Sequence, residues 1–165
     1  MAITERSGCP INLTLEQLGD RWSLIVIRDV MFGNRSSYGD LLALSEEGIA
    51  SNILADRLKR LVASGLLTRG ADPSHKQKGV YHLTEASIQL VPLLAMMGAW
   101  GCRHTHPSRE LSVRAQLLEK GGPAIWHAFM DELRHVHLGA KRPKRSVSAE
   151  LQAAYENAIA GTRPR

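Results

Sequence analysis

Apolar residues recur at helical spacing along most of the chain, and the clearest case is the stretch 48–70, GIASNILADRLKRLVASGLLTRG. Its apolar stripe, at 100° per residue, consists of Ala50, Leu54, Leu58 and Leu61. Polar and basic side chains fall on the opposite face, and Gly65 is placed to end the helix. The pattern predicts an amphipathic helix with a small, polar first turn and a basic outer face.

Three shorter helices are predicted before this one. The first opens at TLEQLG, where Thr14 and Gln17 have the spacing of a capping box. The second runs from about 21 to 32 and stops at the glycine and asparagine that follow, since both residues are common at helix ends. The third is SYGDLLAL, with Ser36 or Ser37 as its cap.

Two β-rich stretches follow the basic helix. They occupy 66–69 and 80–84, and the turn-rich segment GADPSHKQKG lies between them, so we expect an antiparallel hairpin. A helix, a turn, a second helix and a hairpin, in that order, form a winged helix. The predicted fold class is therefore mainly α with a small β-hairpin wing: a winged helix-turn-helix with extra N- and C-terminal helices.

The rest of the chain is predicted to be helical. One long helix is expected over 85–104, with Pro92 as a potential kink. Beyond Pro107, two amphipathic stretches meet at a pair of glycines, and the basic linker KRPKR precedes a last helix, SVSAELQAAYENAIAG. We divide the chain into a winged-helix domain with dimerisation helices at 1–106 and a helical extension at 107–165. Candidates for the core and a dimer interface are Trp22, Ile25, Leu94, Met97 and Trp100.

The extension carries an apolar stripe on 123–138, consisting of Ile125, Trp126, Phe129, Met130 and Leu133. Burying such a stripe contributes several kcal/mol at ~25 cal/mol per Å² of apolar area, so we expect it to dock on the core or on a dimer partner. Two alternatives stay open. The stripe could roof a pocket for an unidentified small-molecule effector, or the basic linker could clamp DNA.

Composition narrows the class of partner. The chain has 165 residues, a formal net charge of +5 and a pI near 9.6, which permits a nucleic-acid partner without requiring one. No apolar run approaches the ~20 residues that a membrane helix needs, and the start lacks a signal-peptide pattern. We therefore expect a cytoplasmic protein, without membrane association, whose two cysteines are thiols.

The winged-helix pattern assigns a DNA-binding role to the basic helix, because the second helix of such a pair enters the major groove. Asparagine in its first turn can pair with adenine, and basic residues can reach phosphates. A solvated basic face, or a protein–protein adaptor that uses this surface on an acidic partner, is the alternative. The candidate DNA contacts are Arg35, Ser36, Ser51, Asn52, Asp56, Arg57, Lys59, Arg60, Arg69, His75, Lys76 and Lys78.

Seven motifs over residues 9–106 resemble, in order, those of the HxlR-type winged-helix transcription regulators, which are relatives of the MarR type. The resemblance implies a homodimer on double-stranded DNA at a pseudo-palindromic operator, with the N-terminal and post-wing helices at the dimer interface. Tyr38 stands where the family usually has Phe, Asp40 where it has Glu, and Ala50 replaces the commoner Ser at the helix start. The motifs are CPI, GDRWSLIVIRDV, GNRSSYGDL, GIASNILADRLKRL, SGLLTR, YHLTE and WG.

Other chemistry receives less support from the sequence. Cys9 precedes a helix N-terminus and is a candidate redox sensor, as its counterpart is in some relatives, although an inert packed thiol is the simpler hypothesis. The segment CRHTH and three later histidines lack a recognised metal-ligand spacing, so no metal site is predicted. No cofactor motif, phosphate loop or carboxylate pair is present, and we predict that the chain is not an enzyme.

Overall fold

The computed structural model describes residues 7–71 and 79–161. Contacts divide them into two compact units between Leu83 and Thr84, and each unit is described by itself. The first unit contains α1 (Pro10–Leu18), α2 (Ser23–Gly33), α3 (Tyr38–Ala43), α4 (Ser51–Ala63), β1 (Leu67–Ala71) and β2 (Gly79–Leu83). The strands pair antiparallel, with Leu67 opposite Leu83. The predicted winged helix-turn-helix is confirmed.

The first helix begins earlier than predicted. It starts at Pro10, which suits the first turn because the missing N–H needs no partner there. Thr14 lies inside the helix, and its hydroxyl donates to the Pro10 carbonyl at 2.9 Å. The proposed capping box of Thr14 with Gln17 is therefore wrong, since a capping residue must stand outside the helix it caps.

The ends of the next two helices agree with the sequence. Asn34 adopts the left-handed conformation (φ 50°) that ends α2, and its N–H bonds to the Asp29 carbonyl. Ser37 caps α3, because its hydroxyl accepts from the Asp40 amide at 3.1 Å. Asn34 and Ser37 both have short polar side chains, which are common at the end and at the start of a helix respectively.

The core of the first unit lies beneath α4. Leu54, Leu58 and Leu61 are fully buried, as their spacing predicts. Ala50 is exposed, so its place on the buried stripe is wrong. The residue is the N-cap with extended backbone (φ −71°, ψ 146°), and helical spacing begins only after it. Trp22 and Ile25 are half-buried.

The second unit is helical. Its elements are α5 (Glu85–Ile88), α6 (Val91–His104), α7 (Arg109–Leu138) and α8 (Val147–Ala160). The expected continuous helix over 85–104 is wrong, because Pro92 opens α6 in its first turn and does not kink a longer helix. None of the helices in the described residues has the length and hydropathy that a bilayer crossing requires.

One face of α6 is buried and another is open. Val91, Ala95 and Ala99 are buried within the unit. Met97 and Trp100 are 47% and 57% exposed, so neither belongs to the core of the protomer. Leu94 is half-buried. The exposed apolar face of α6, defined as Leu93, Met96, Met97 and Trp100, is available to a second molecule.

The glycine pair in the extension breaks α7 as expected. Gly122 has a non-helical backbone (φ 55°, ψ −149°), and Pro123 follows it. The Trp126 indole donates to the Leu118 carbonyl at 2.8 Å, on the other side of this break. The apolar stripe after the break docks inside its own unit: Ile125, Phe129, Met130 and Leu133 are buried and Trp126 is half-buried.

An ion pair joins the start of this unit to α7 and predicts a dependence on pH. The Arg134 guanidinium donates to Glu85 at 2.7 Å and 3.0 Å and, with Gln89, lowers the pKa of Glu85 from about 4.5 to about 2. A lowered pKa in the folded state stabilises the protein above pH 4.5, and the effect is lost as pH falls towards 2. We expect Glu85→Gln to lower the free energy of unfolding at pH 7 by less than about 1 kcal/mol, because the pair is solvated.

The measurement is denaturant unfolding of both proteins at pH 7 and between pH 4.5 and 2. The difference between them should shrink as the pH falls. A constant difference over this range would contradict the assignment to the Glu85 charge.

Candidate nucleic-acid interface

The start of α4 is held in place without a side-chain cap. Ala50 offers none, as expected from its replacing the usual serine. The Tyr38 hydroxyl instead donates to the Ser51 carbonyl at 3.0 Å and so ties the start of α4 to the start of α3. Ser51 and Asn52 are both exposed in this first turn. The turn is therefore fixed on its inner side and open on its outer side.

The outer face of α4 carries polar and charged side chains at successive turns. Asn52, Asp56, Lys59 and Arg60 are all exposed. Residues three or four apart lie on the same face of a helix, so these four form one continuous surface. It combines an amide, a carboxylate and two cations, which are the groups that read base edges and bind phosphates.

Arg57 does not belong to this outer face. Its side chain is only 17% exposed, and Nη1 lies 3.4 Å from Oδ2 of Asp20 in the turn between α1 and α2. Asp20 in turn accepts hydrogen bonds from the amides of Trp22 and Ser23 and from the Ser23 hydroxyl. Partial burial opposes ionisation of Asp20, but these hydrogen bonds and the charge of Arg57 outweigh it and lower the pKa.

Arg35 also lies in an ion-pair network. Its guanidinium, with 18% of the side chain exposed, reaches the buried carboxylate of Asp29 at 3.2 Å. Arg28 bridges the same carboxylate and Glu47, at 2.7 Å and 2.6 Å. The hydrogen bonds that Arg28 donates to Glu47, which burial partly offsets, raise the pKa of Arg28. This network joins α2 to the turn that precedes α4.

The wing is attached to the turn before α3. The Ser36 carbonyl accepts from the Tyr81 amide at 2.7 Å, so Ser36 acts through its backbone in this structure. Arg69 is exposed on β1 opposite Tyr81, and its guanidinium packs over Gly79, so a larger residue at position 79 would displace this side chain. His75, Lys76 and Lys78 lie outside the described residues.

The two cysteines are free thiols. Cys9 is exposed at the N-terminus of α1, where the backbone amides of Asn12 and Ile11 lower the pKa of its thiol. Among the residues that the structure describes, no three His, Cys, Asp or Glu side chains are grouped as metal ligands would be.

The sequence pattern places Arg57 among the exposed cations of α4, whereas in the structure Asp20 holds its side chain inward. The DRWS sequence at 20–23 carried a signal, since an Asp three residues before a Ser at a helix start is a capping pattern. The Arg28–Asp29–Glu47 network left no comparable mark, because Glu47 is 19 residues from Arg28 and meets this neighbouring pair only in the fold.

The profile of HxlR-like helix-turn-helix proteins matches residues 17–109. An uncharacterized HTH-type transcriptional regulator of Mycobacterium bovis is 33% identical over 105 residues, and the match covers 61% of this chain and 65% of that protein. The chain thus spans just under two thirds of the length of this relative.

Two solved structures resemble the chain. The crystal structure of PA1607, a candidate transcription factor, has a TM-score of 0.57 and 30% identity, covering 64% of this chain and 71% of the other. The reduced form of the transcriptional regulator YodB from B. subtilis has a TM-score of 0.50 and 26% identity, covering 62% and 99%. These matches do not favour the thiol-sensor alternative at Cys9. Since the profile covers more than half of the chain, the protein belongs to the HxlR-like helix-turn-helix family.

Proposed function

We propose that the protein is a transcriptional regulator that binds double-stranded DNA in a sequence-specific manner as a homodimer on a pseudo-palindromic operator. The observation that carries this proposal is the outer face of α4. Its exposed amide, carboxylate and cations stand on a helix that is anchored by buried leucines and by Tyr38.

The candidate contacts divide by role. Ser51, Asn52 and Asp56 stand where base edges would meet the first turns of α4, with Asn52 suited to adenine and Asp56 to cytosine. Lys59, Arg60 and Arg69 are exposed cations suited to phosphates. The sequence adds His75, Lys76 and Lys78 in the wing. Arg35 and Ser36 support the turn before α3 through an ion pair and a backbone bond.

The proposed homodimer is supported by apolar surface that the protomer leaves uncovered. The exposed apolar face of α6 lies in the second unit. In the first unit, Ile11 and Leu15 of α1 are 73% and 59% exposed. A second copy would bury such surface and align two recognition helices on one operator. Cytoplasmic localisation and a small-molecule effector both stay predictions.

Selection of bound sites from a random duplex pool tests this function. We expect a palindromic motif whose half-site centres are ~34–36 Å apart, or a multiple of that, because a two-fold dimer must present both helices to one side of the DNA. Gel shifts of random duplexes at two salt concentrations provide the contrast. A protein–protein adaptor would shift no duplex at either salt concentration.

Replacing Asn52 by alanine should relax the selected motif and weaken operator binding by ~1–3 kcal/mol, because a bidentate contact with a base would be lost. Affinity for random duplex should change little. Asn157→Ala, which alters an exposed asparagine on α8, is the matched control and should leave both affinities as they are. An unchanged motif in the Asn52→Ala variant would show that the proposed base contacts are misplaced along α4.

A further inference from the structure

The turn between α1 and α2 holds a carboxylate in a fixed position facing α4. Asp20 Oδ1 accepts from the amides of Trp22 and Ser23 at 2.8 Å and 2.9 Å. The Ser23 hydroxyl donates to the other oxygen. These bonds attach the carboxylate to the first turn of α2, so its position does not depend on any group of α4.

Arg57 meets this carboxylate from the recognition helix. Its Nη1 lies 3.4 Å from Asp20 Oδ2, and Asp56, which is 56% exposed, lies further away at 3.8 Å from Nη2. Nε and Nη1 of Arg57 are buried and make no hydrogen bond to any residue that the structure describes. A guanidinium that has lost most of its water requires a compensating charge, and Asp20 is the nearest carboxylate in the described residues.

Polar contacts help to set the orientation of a recognition helix, in addition to its buried surface. Burial of Leu54, Leu58 and Leu61 turns the apolar stripe of α4 towards the core, but apolar contacts are non-directional and leave some freedom of rotation about the helix axis. Two polar anchors lie on α4 more than one turn apart: Tyr38 holds Ser51, and Asp20 holds Arg57. The helix is therefore contacted by polar groups of the first unit at two points along its length.

We propose that the Asp20–Arg57 ion pair sets the orientation of α4 on α2 and thereby the specificity of DNA binding, with Arg57 acting as a positioning residue and not as a phosphate contact. This inference rests on the proposed function. A positioning role and a phosphate role for Arg57 predict different effects when the Asp20 carboxylate is neutralised: only the positioning role predicts weaker operator binding. An anion near DNA opposes binding to every sequence, so a bystander carboxylate could be neutralised without loss.

The test compares operator and random duplex affinities over a range of salt concentrations. Arg57→Met and Asp20→Asn should each weaken operator binding by about tenfold while leaving random-duplex affinity within about twofold, so the specificity ratio falls. The salt slope should stay unchanged, since no phosphate contact is lost. The double variant should be no worse than either single variant, because both remove the same interaction.

Arg60→Met is the matched control, since Arg60 is an exposed cation on the same helix. It should weaken both duplexes equally and lower the salt slope by about one. Arg57→Lys keeps the charge and should retain operator affinity within about threefold of the original protein. Thermal unfolding followed by circular dichroism identifies any variant that does not fold. If Arg57→Met does not fold, the affinities of Asp20→Asn and Arg57→Lys test the inference in its place.

Two results would overturn the inference. In the first, Arg57→Met weakens both duplexes alike and lowers the salt slope by about one, which identifies a phosphate contact. In the second, Asp20→Asn keeps or strengthens operator binding. If the unaltered protein binds no duplex, the proposed function itself fails, and this inference fails with it.

Discussion

Replacing Trp100 with aspartate should convert the protein from a dimer into a monomer and weaken operator binding by about two to three orders of magnitude. Trp100 is 57% exposed on α6 and lies beside other exposed apolar residues. A charge at this position costs the isolated protomer little, but it would be desolvated in the proposed interface. Losing the partner removes one of two linked half-site contacts, which accounts for the size of the effect.

Light scattering at micromolar concentration measures the oligomeric state, and gel shifts measure the affinity. Val136→Asp is the control, because Val136 is a similarly exposed apolar residue (49%) on α7. It should stay dimeric and bind DNA normally. If Trp100→Asp remains dimeric, the exposed apolar face of α6 is not the interface, and Ile11 and Leu15 of α1 become the next candidates.

Replacing Phe129 with alanine should lower the free energy of unfolding by ~3–5 kcal/mol. Phe129 is fully buried on α7, beside Ile125, Met130 and Leu133, which are also buried. The substitution removes a ring from a packed core and leaves a cavity that its neighbours fill only in part. A loss of this size is a large fraction of the stability of a typical domain.

Denaturant unfolding compares this variant with Val136→Ala, which shortens an exposed side chain of the same helix and should change stability by less than about 0.5 kcal/mol. Removing residues 108–165 extends the test, because the buried residues of α6 would then lose the helix that covers them. A truncated protein that stays stable and dimeric would contradict the docking of the extension.

The order of elements could be predicted because local signals agreed with one another. Leucine spacing on α4, Asn34 at the end of α2 and Ser37 at the start of α3 each act within a few residues. Pro92 was ambiguous for a physical reason: proline disrupts a helix interior but suits a first turn, and its sequence position alone does not tell these cases apart.

The sequence predicts which side chains of the candidate site are exposed on the outer face of α4, but it does not predict which ones turn inward to form ion pairs. On a 100° wheel, Arg57 lies ~60° from Leu54, at the border of the apolar stripe, where either face is accessible. Its direction is decided by Asp20, which is far away in the sequence. The Arg35 side chain is likewise only 18% exposed, because its guanidinium pairs with Asp29 across the end of α2, and its role as a DNA contact stays a prediction. Long-range charge pairs leave no periodic pattern to detect.

The non-helical backbone at Gly122 bends α7, and residues at the start of α8 and within it contact α7 on both sides of this bend. Before the bend, Arg114 donates a hydrogen bond to Gln152 at 2.9 Å, and its Cζ lies 4.4 Å from the centre of the Tyr155 ring. Beyond it, Glu132 accepts from Ser146 and Ser148, where α8 begins. Helix α8 therefore bridges the bend and contacts both halves of α7. Altering α8 would change the angle of α7 without touching any residue of α7 itself.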